Sequence, residues 1–133
     1  MHTEILIENT DHNFTQKITA GSHTLYADEP KDLKGDDLGP PPFDLLLSAL
    51  GSCTSITLKM YANMKKIKLD VIIVRLNYIP PNKLEGTSSR ITRKIHLEGD
   101  FTDEQHQRML EIADRCPVHR TLRQGVDIMS SME

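Results

Sequence analysis

The sequence has little aromatic character and no excess of positive charge. It contains no tryptophan, three phenylalanines and three tyrosines, and its net charge is −3. Proteins that neutralise many phosphates are strongly basic, and proteins that bind single strands stack the bases on aromatic side chains. These two deficits argue against nucleic acid as a partner.

Long hydrophobic runs are also missing. The longest stretch without a charged residue runs from Leu45 to Leu58, and it is interrupted by serine, threonine and glycine. Because a membrane span needs about 20 mainly apolar residues, we expect no membrane association. The segment from Met1 to Asn9 lacks the charged and apolar regions of a secretory signal, so we expect a cytoplasmic protein.

Cysteine is rare as well, with Cys53 and Cys116 as the only two. A domain of 133 residues can bury a sufficient core without disulfides. In the cytosol thiols are kept reduced, and a disulfide there is usually transient. The two cysteines are therefore either small buried hydrophobic residues or a reactive thiol pair. Histidines are scattered without the spacing of zinc ligands, so we expect no metal and no other bound cofactor.

One long apolar helix is the strongest structural signal. From Phe43 to about Lys65, apolar residues recur every three or four positions. A helix that is apolar on most sides is usually buried in the centre of a fold. Cys53 lies near its middle, three residues after Leu50, so we expect this thiol to face the interior.

Short segments with alternating polarity predict strands on both sides of this helix. The predicted strands are Glu4 to Ile7, Phe14 to Thr19, His23 to Tyr26, Asp70 to Tyr78, Arg90 to Glu98 and Val126 to Met129. We expect the fourth and fifth to pair as antiparallel neighbours and residues 28–42 to form a loop. Strands grouped around a helix indicate an α+β fold, here a single domain of residues 1–133.

Cys116 has two possible local settings. Thr102 and Gln105 form a capping-box pattern that begins a second helix, and Pro117 either ends that helix or opens a short third one. In the latter case Cys116 lies at a helix N-terminus, where partial positive charge and amide groups lower the pKa of a thiol. Otherwise it is a hydrophobic residue at the end of an amphipathic helix.

Arg93 is a candidate supporting residue. It shares one face of its predicted strand with Ile91 and Ile95, which points the guanidinium inward. An inward arginine needs an acceptor, and a thiolate or Asp44 could serve. The commoner situation is an arginine at a strand edge that reaches solvent.

Three runs carry a resemblance to a known family. Residues 39–54 read GPPPFDLLLSALGSCT, residues 90–100 read RITRKIHLEGD, and residues 110–123 read LEIADRCPVHRTLR. They resemble the cysteine-bearing helix, the preceding strand and the second cysteine motif of the OsmC/Ohr superfamily, which includes organic hydroperoxide resistance proteins. The resemblance covers nearly the whole chain and keeps both cysteine motifs in order.

The resemblance implies antiparallel sheets packed around the long cysteine-bearing helix and an intertwined homodimer with two composite active sites. It also implies a thiol peroxidase that defends against oxidative stress. Cys53 would be oxidised to a sulfenic acid by an organic hydroperoxide, and Cys116 would then form a disulfide with it. An external dithiol reductant would restore both thiols.

The chain departs from the peroxidase members at two places. They carry a glutamate ten residues before the first cysteine, where this chain has Phe43, and Asp44 is the nearest substitute. They also carry an arginine in an N-terminal turn, and residues 10–17 contain none. The resemblance is therefore to the less characterised OsmC-like branch. Two alternatives follow: a redox-sensing or ligand-binding dimer without catalysis, and a hydrolase or thiol-transfer enzyme that uses Cys53 alone.

Overall fold

The computed structural model describes residues 3–133, so Met1 and His2 of the predicted N-terminal segment lie outside the described residues. Internal contacts divide the chain into an N-terminal unit of residues 1–46 and a C-terminal unit of residues 47–133. The longest helix, α1 (Pro42–Lys65), begins in the first unit and continues in the second. A single domain of residues 1–133 stays a prediction.

The N-terminal unit contains a three-stranded antiparallel sheet in the order β1-β2-β3. Its strands are β1 (Ile5–Asn9), β2 (Gln16–Ala20) and β3 (His23–Ala27). Gly21 lies in the tight turn between the second and third strands and supplies the positive φ of 61° that this turn requires. The three predicted strands therefore exist, with ends displaced by at most two residues.

Asp28 fixes the loop that follows the sheet, and this loop contains one short 3-10 helix, Lys31–Leu33. The buried carboxylate accepts hydrogen bonds from the Thr15 hydroxyl at 2.6 Å and from the Leu38 amide at 3.1 Å. These bonds hold the pKa of Asp28 below its usual value, and the bond from Thr15 has the largest effect. The loop is thus ordered by this buried acceptor together with backbone hydrogen bonds, such as the one from the Asp28 amide to the Pro40 carbonyl at 3.1 Å.

The C-terminal unit is built on a long antiparallel ribbon of β4 (Lys68–Ile79) and β5 (Arg90–Asp100). The predicted pairing is confirmed, with Ile72 opposite Leu97 in the register. Each strand turns alternate side chains outward, as the period of two requires. The ribbon therefore presents one apolar face to the helices of this unit.

Two further helices complete the C-terminal unit: α2 (Asp103–Ala113) and α3 (Pro117–Gln124). The predicted capping box is confirmed, because the side chains of Thr102 and Gln105 each accept from the other residue's amide. Pro117 opens α3, as in the second of the two predicted settings. The core of the unit contains Leu58, Ala62, Ile67, Leu69, Leu97, Met109, Ile112 and Ala113.

Only one side of α1 is buried. Leu58 and Ala62 enter the core, whereas Ile56, Met60 and Met64 on the opposite side of the helix are exposed. The prediction that α1 is covered on most sides is wrong for the single chain, because its described residues supply packing partners on one side only. The central position expected for this helix within the fold is likewise not confirmed.

By length and composition alone, α1 is the one helix among the described residues that could cross a membrane. Core helices of globular proteins meet the same criteria. Within the C-terminal unit, the Lys59 ammonium on α1 donates to the Leu69 carbonyl at 2.8 Å, which ties the helix to β4. This contact and the core residues of α1 favour a helix of the folded domain.

The predicted last strand, Val126 to Met129, is wrong. Residues 126–133 have no strand partner among the described residues, and Val126, Ile128 and Met129 are exposed. The alternation of apolar and polar residues suits a strand, but a strand also needs a neighbour that accepts and donates its backbone hydrogen bonds. Among the described residues, no strand pairs with this segment.

Candidate thiol site

Cys53 lies on α1 and is half-buried. The predicted inward direction holds in part, because its neighbours Gly51 and Thr54 are buried while the thiol keeps some access to solvent. A Cβ at position 51 would come within 2.8 Å of a Leu76 methyl carbon, so glycine allows β4 to approach this turn of the helix. This close approach explains a residue that costs a helix about 1 kcal/mol relative to alanine.

Cys116 connects α2 to α3 and is fully buried. It is the N-cap residue of α3, with Pro117 in the first turn, and its sulfur accepts a hydrogen bond from the His119 amide at 3.5 Å. An N-cap acceptor satisfies one of the amides that a helix leaves unpaired at its start. The sequence places a thiol where serine, threonine or aspartate is more usual.

The two cysteine side chains lie close together. The side chains of Cys53 and Cys116 lie close enough that Cys53 raises the pKa of Cys116, and both thiols are free rather than joined as a disulfide. Spacing along the chain gave no information on this distance, because the residues belong to different helices. Their proximity makes a disulfide between the two residues possible.

Burial is the main cause that raises the pKa of Cys116, and its hydrogen bond and charge interaction with Cys53 raise the pKa further. The amides of His119 and Val118 act in the opposite direction. The prediction that the helix N-terminus lowers this pKa is therefore wrong in its net effect. Desolvation outweighs two amide contacts, so Cys116 is a neutral thiol at pH 7.

Arg93 points inward, and its partners differ from those predicted. Its guanidinium donates to the Thr54 hydroxyl at 3.0 Å and to the Asp114 carboxylate at 2.7 Å. The side chain is only 12% exposed, so the alternative of an arginine that reaches solvent is wrong. Thr54 directly follows Cys53, and Asp114 lies two residues before Cys116.

Asp44 lies in the first turn of α1 and is exposed. A carboxylate in this position is stabilised by the positive end of the helix dipole. It belongs to the N-terminal unit, whereas both cysteines belong to the C-terminal unit. Its supporting role toward the thiols therefore stays a prediction.

The structure adds two residues that the sequence did not single out, Thr54 and Asp114. Each lies within two residues of a cysteine, which is the signal that would have marked them. His119 contributes through its backbone, because its amide donates to the Cys116 sulfur. Within residues 3–133, no group of three or more histidine, cysteine or acidic side chains is arranged to hold a metal ion.

Comparison with known protein families gives one match. The family model described as OsmC-like protein matches residues 35–131, which include both cysteines and Arg93. No curated protein matches the chain.

Solved structures share the fold. An OsmC-like protein of Mycoplasma pneumoniae is 20% identical, with a TM-score of 0.77 over 92% of this chain and 88% of the other. An organic hydroperoxide resistance protein of Legionella pneumophila is 18% identical, with a TM-score of 0.65 over 96% and 93%. The organic hydroperoxide resistance protein OhrB of Bacillus subtilis is also 18% identical, with a TM-score of 0.63 over 96% and 94%. These likenesses establish the α+β fold of the chain.

Proposed function

Because the chain belongs to the OsmC-like protein family, we propose that it is a thiol-dependent peroxidase that reduces organic hydroperoxides. One observation carries this proposal: Cys53 and Cys116, both free thiols, lie close enough to interact. The organic hydroperoxide resistance proteins with this fold support the substrate class, although at 18% identity they share no more than the fold.

The proposed reaction has two steps in the protein. The Cys53 thiolate attacks one peroxide oxygen, the O–O bond breaks, and the alkoxide leaves as an alcohol after it takes up a proton. Cys53 is then a sulfenic acid. The Cys116 sulfur attacks the Cys53 sulfur, a disulfide forms, and the hydroxyl group leaves as water with the proton of Cys116. An external dithiol reduces the disulfide and becomes oxidised itself.

Burial supports the assignment of these roles. Cys53 is half-buried and keeps some access for a small organic peroxide, whereas Cys116 is fully buried. The raised pKa of Cys116 favours its protonated thiol, which supplies the proton for the water that leaves in the second step. The half-buried thiol of Cys53 therefore suits the first step, and the buried thiol of Cys116 suits the second.

The proposal is tested by reacting the reduced protein with one equivalent of cumene hydroperoxide. We expect both thiols to be lost and one alcohol to form for each protein chain. If both thiols remain and no alcohol appears, the peroxidase proposal is wrong. A slow loss of thiols without repeated turnover in the presence of dithiothreitol would instead identify the redox-sensing alternative. Phe43, at the position where the resemblance places a glutamate, favours that alternative.

We also propose that the protein functions as a homodimer. Exposed apolar side chains cover parts of two elements: Ile5, Ile7 and Leu25 on the three-stranded sheet, and Met60 and Met64 on α1. Apolar surfaces of this extent typically mark an interface. A second copy of the chain is the partner that the family resemblance implies.

Dimer formation makes a prediction about thermal stability. If two chains must associate to cover these side chains, dissociation is coupled to unfolding, and the midpoint temperature rises with protein concentration. Differential scanning calorimetry over a hundredfold range of concentration measures this. A midpoint that does not change with concentration would contradict the dimer.

The setting of the reaction belongs to the same proposal. A cytoplasmic location would supply dithiol reductants and keep both thiols free between reactions. The chemistry needs no bound cofactor or metal, because the two thiols supply the two electrons that reduce the peroxide when they form a disulfide.

A further inference from the structure

Arg93 joins the two cysteine-bearing segments through one side chain. Its two terminal nitrogens point to different elements: Nη1 to Thr54 on α1 and Nη2 to Asp114 at the end of α2. Thr54 is the residue after Cys53, and Asp114 caps the helix that ends just before Cys116. The Arg93 guanidinium on β5 thus connects the backbone segments that carry the two cysteines.

Both acceptors are themselves held in place. The Thr54 hydroxyl donates to the Leu50 carbonyl at 2.7 Å and is fully buried, so it has one orientation in which it can accept from Arg93. The Asp114 oxygen that binds Arg93 also lies 3.9 Å from Nε2 of His119. The backbone amide of the same histidine donates to the Cys116 sulfur. The corner between α2 and α3 is therefore connected to α1 through Arg93.

We propose that Arg93 is a positioning residue that sets how readily Cys53 and Cys116 close into a disulfide. It acts through Thr54 and Asp114 rather than on a sulfur atom. The rigid guanidinium fork suits two acceptors in fixed directions, whereas a lysine ammonium on a flexible stem does not. Without the guanidinium, the segment that carries Cys116 can move relative to α1. This movement lowers the effective concentration of the Cys116 thiol near Cys53.

The inference rests on the proposed function for its kinetic part only. In that part, Arg93 acts on the second step, in which the Cys116 thiol displaces water from the Cys53 sulfenic acid. The first step needs Cys53 and peroxide alone, so its rate should not depend on Arg93. The equilibrium between dithiol and disulfide is independent of peroxide, and it tests the same geometry directly.

The equilibrium experiment titrates the protein with mixtures of reduced and oxidised glutathione. For Arg93→Met we expect a disulfide that is at least about tenfold less stable, which corresponds to a reduction potential about 30 mV less negative. Arg93→Lys should restore part of this shift. Arg75→Met is the matched control, because Arg75 lies on the outward face of β4, and its potential should equal that of the wild type.

Asp114→Asn tests the same connection from the other end. The Asp114 side chain is 65% exposed, so we expect Asp114→Asn to fold normally. It therefore tests the connection even if Arg93→Met does not fold. It removes the charge but keeps an oxygen acceptor, and we expect its potential to shift in the same direction by a smaller amount. An unchanged potential in either folded variant would overturn the proposal.

The kinetic experiment follows sulfenic acid and disulfide separately after rapid mixing with cumene hydroperoxide. In Arg93→Met, sulfenic acid formation should stay within about twofold of the wild type, and closure should slow at least about tenfold. Equal slowing of both steps would indicate general damage and would overturn the positioning role. If the wild type fails to react with peroxide, the proposed function is wrong, and the glutathione titration still decides the role of Arg93.

Discussion

Cys53→Ser is expected to lose turnover of organic hydroperoxide by more than about a thousandfold. A serine hydroxyl at this position lacks the nucleophilicity and the redox chemistry of sulfur, so no sulfenic acid forms. The side chain is half-buried and serine is nearly isosteric with cysteine, so the fold should be unaffected. Turnover is measured as peroxide consumed in the presence of excess dithiothreitol.

Cys116→Ser is the matched control for this variant. It removes the other sulfur of the pair but leaves Cys53 to react with the first equivalent of peroxide. We expect the first reduction to proceed and later turnover to be slow, because dithiothreitol must reduce the sulfenic acid directly. Turnover that persists in Cys53→Ser would contradict the assigned nucleophile. Full turnover in Cys116→Ser would instead favour an enzyme that uses Cys53 alone.

Leu58→Ala is expected to lower the free energy of unfolding by about 2–5 kcal/mol. Leu58 is fully buried on α1, and it packs in the cluster that joins this helix to β4, β5 and α2. Its truncation removes apolar burial and leaves a cavity that rigid neighbours fill only in part. Urea unfolding at one fixed protein concentration measures the change.

Leu84→Ala is the control for that measurement. Leu84 lies in the connection between β4 and β5 and is fully exposed, so its truncation should change the free energy of unfolding by less than about 0.5 kcal/mol. A loss below about 1 kcal/mol in Leu58→Ala would show that α1 is not anchored in this core.

The elements that carry their own periodic pattern could be predicted from the sequence. The helix from Phe43 to Lys65 begins within one residue of its predicted start, and the β4–β5 pairing is as predicted. Both rest on long runs in which one face is apolar. The capping box at Thr102 is equally local, because both of its hydrogen bonds involve residues three apart.

Features that depend on distant contacts could not be predicted. The alternation in Val126 to Met129 suits a strand, but pairing depends on a free edge that local sequence does not reveal. For Cys116, the helix N-terminus was recognised, whereas the degree of burial that raises its pKa comes from packing. The inward direction of Arg93 followed from strand phase, but its acceptors lie 39 and 21 residues away.

The central claim is that Cys53 and Cys116 act together as a peroxide-reactive pair. Intact-mass analysis with peptide mapping after one equivalent of cumene hydroperoxide tests it most directly. We predict that the wild type loses two hydrogen atoms and yields a peptide pair joined through Cys53 and Cys116, and that Cys116→Ser gains one oxygen atom at Cys53. Unchanged masses in both proteins, or oxidation without a Cys53–Cys116 disulfide in the wild type, would contradict the claim.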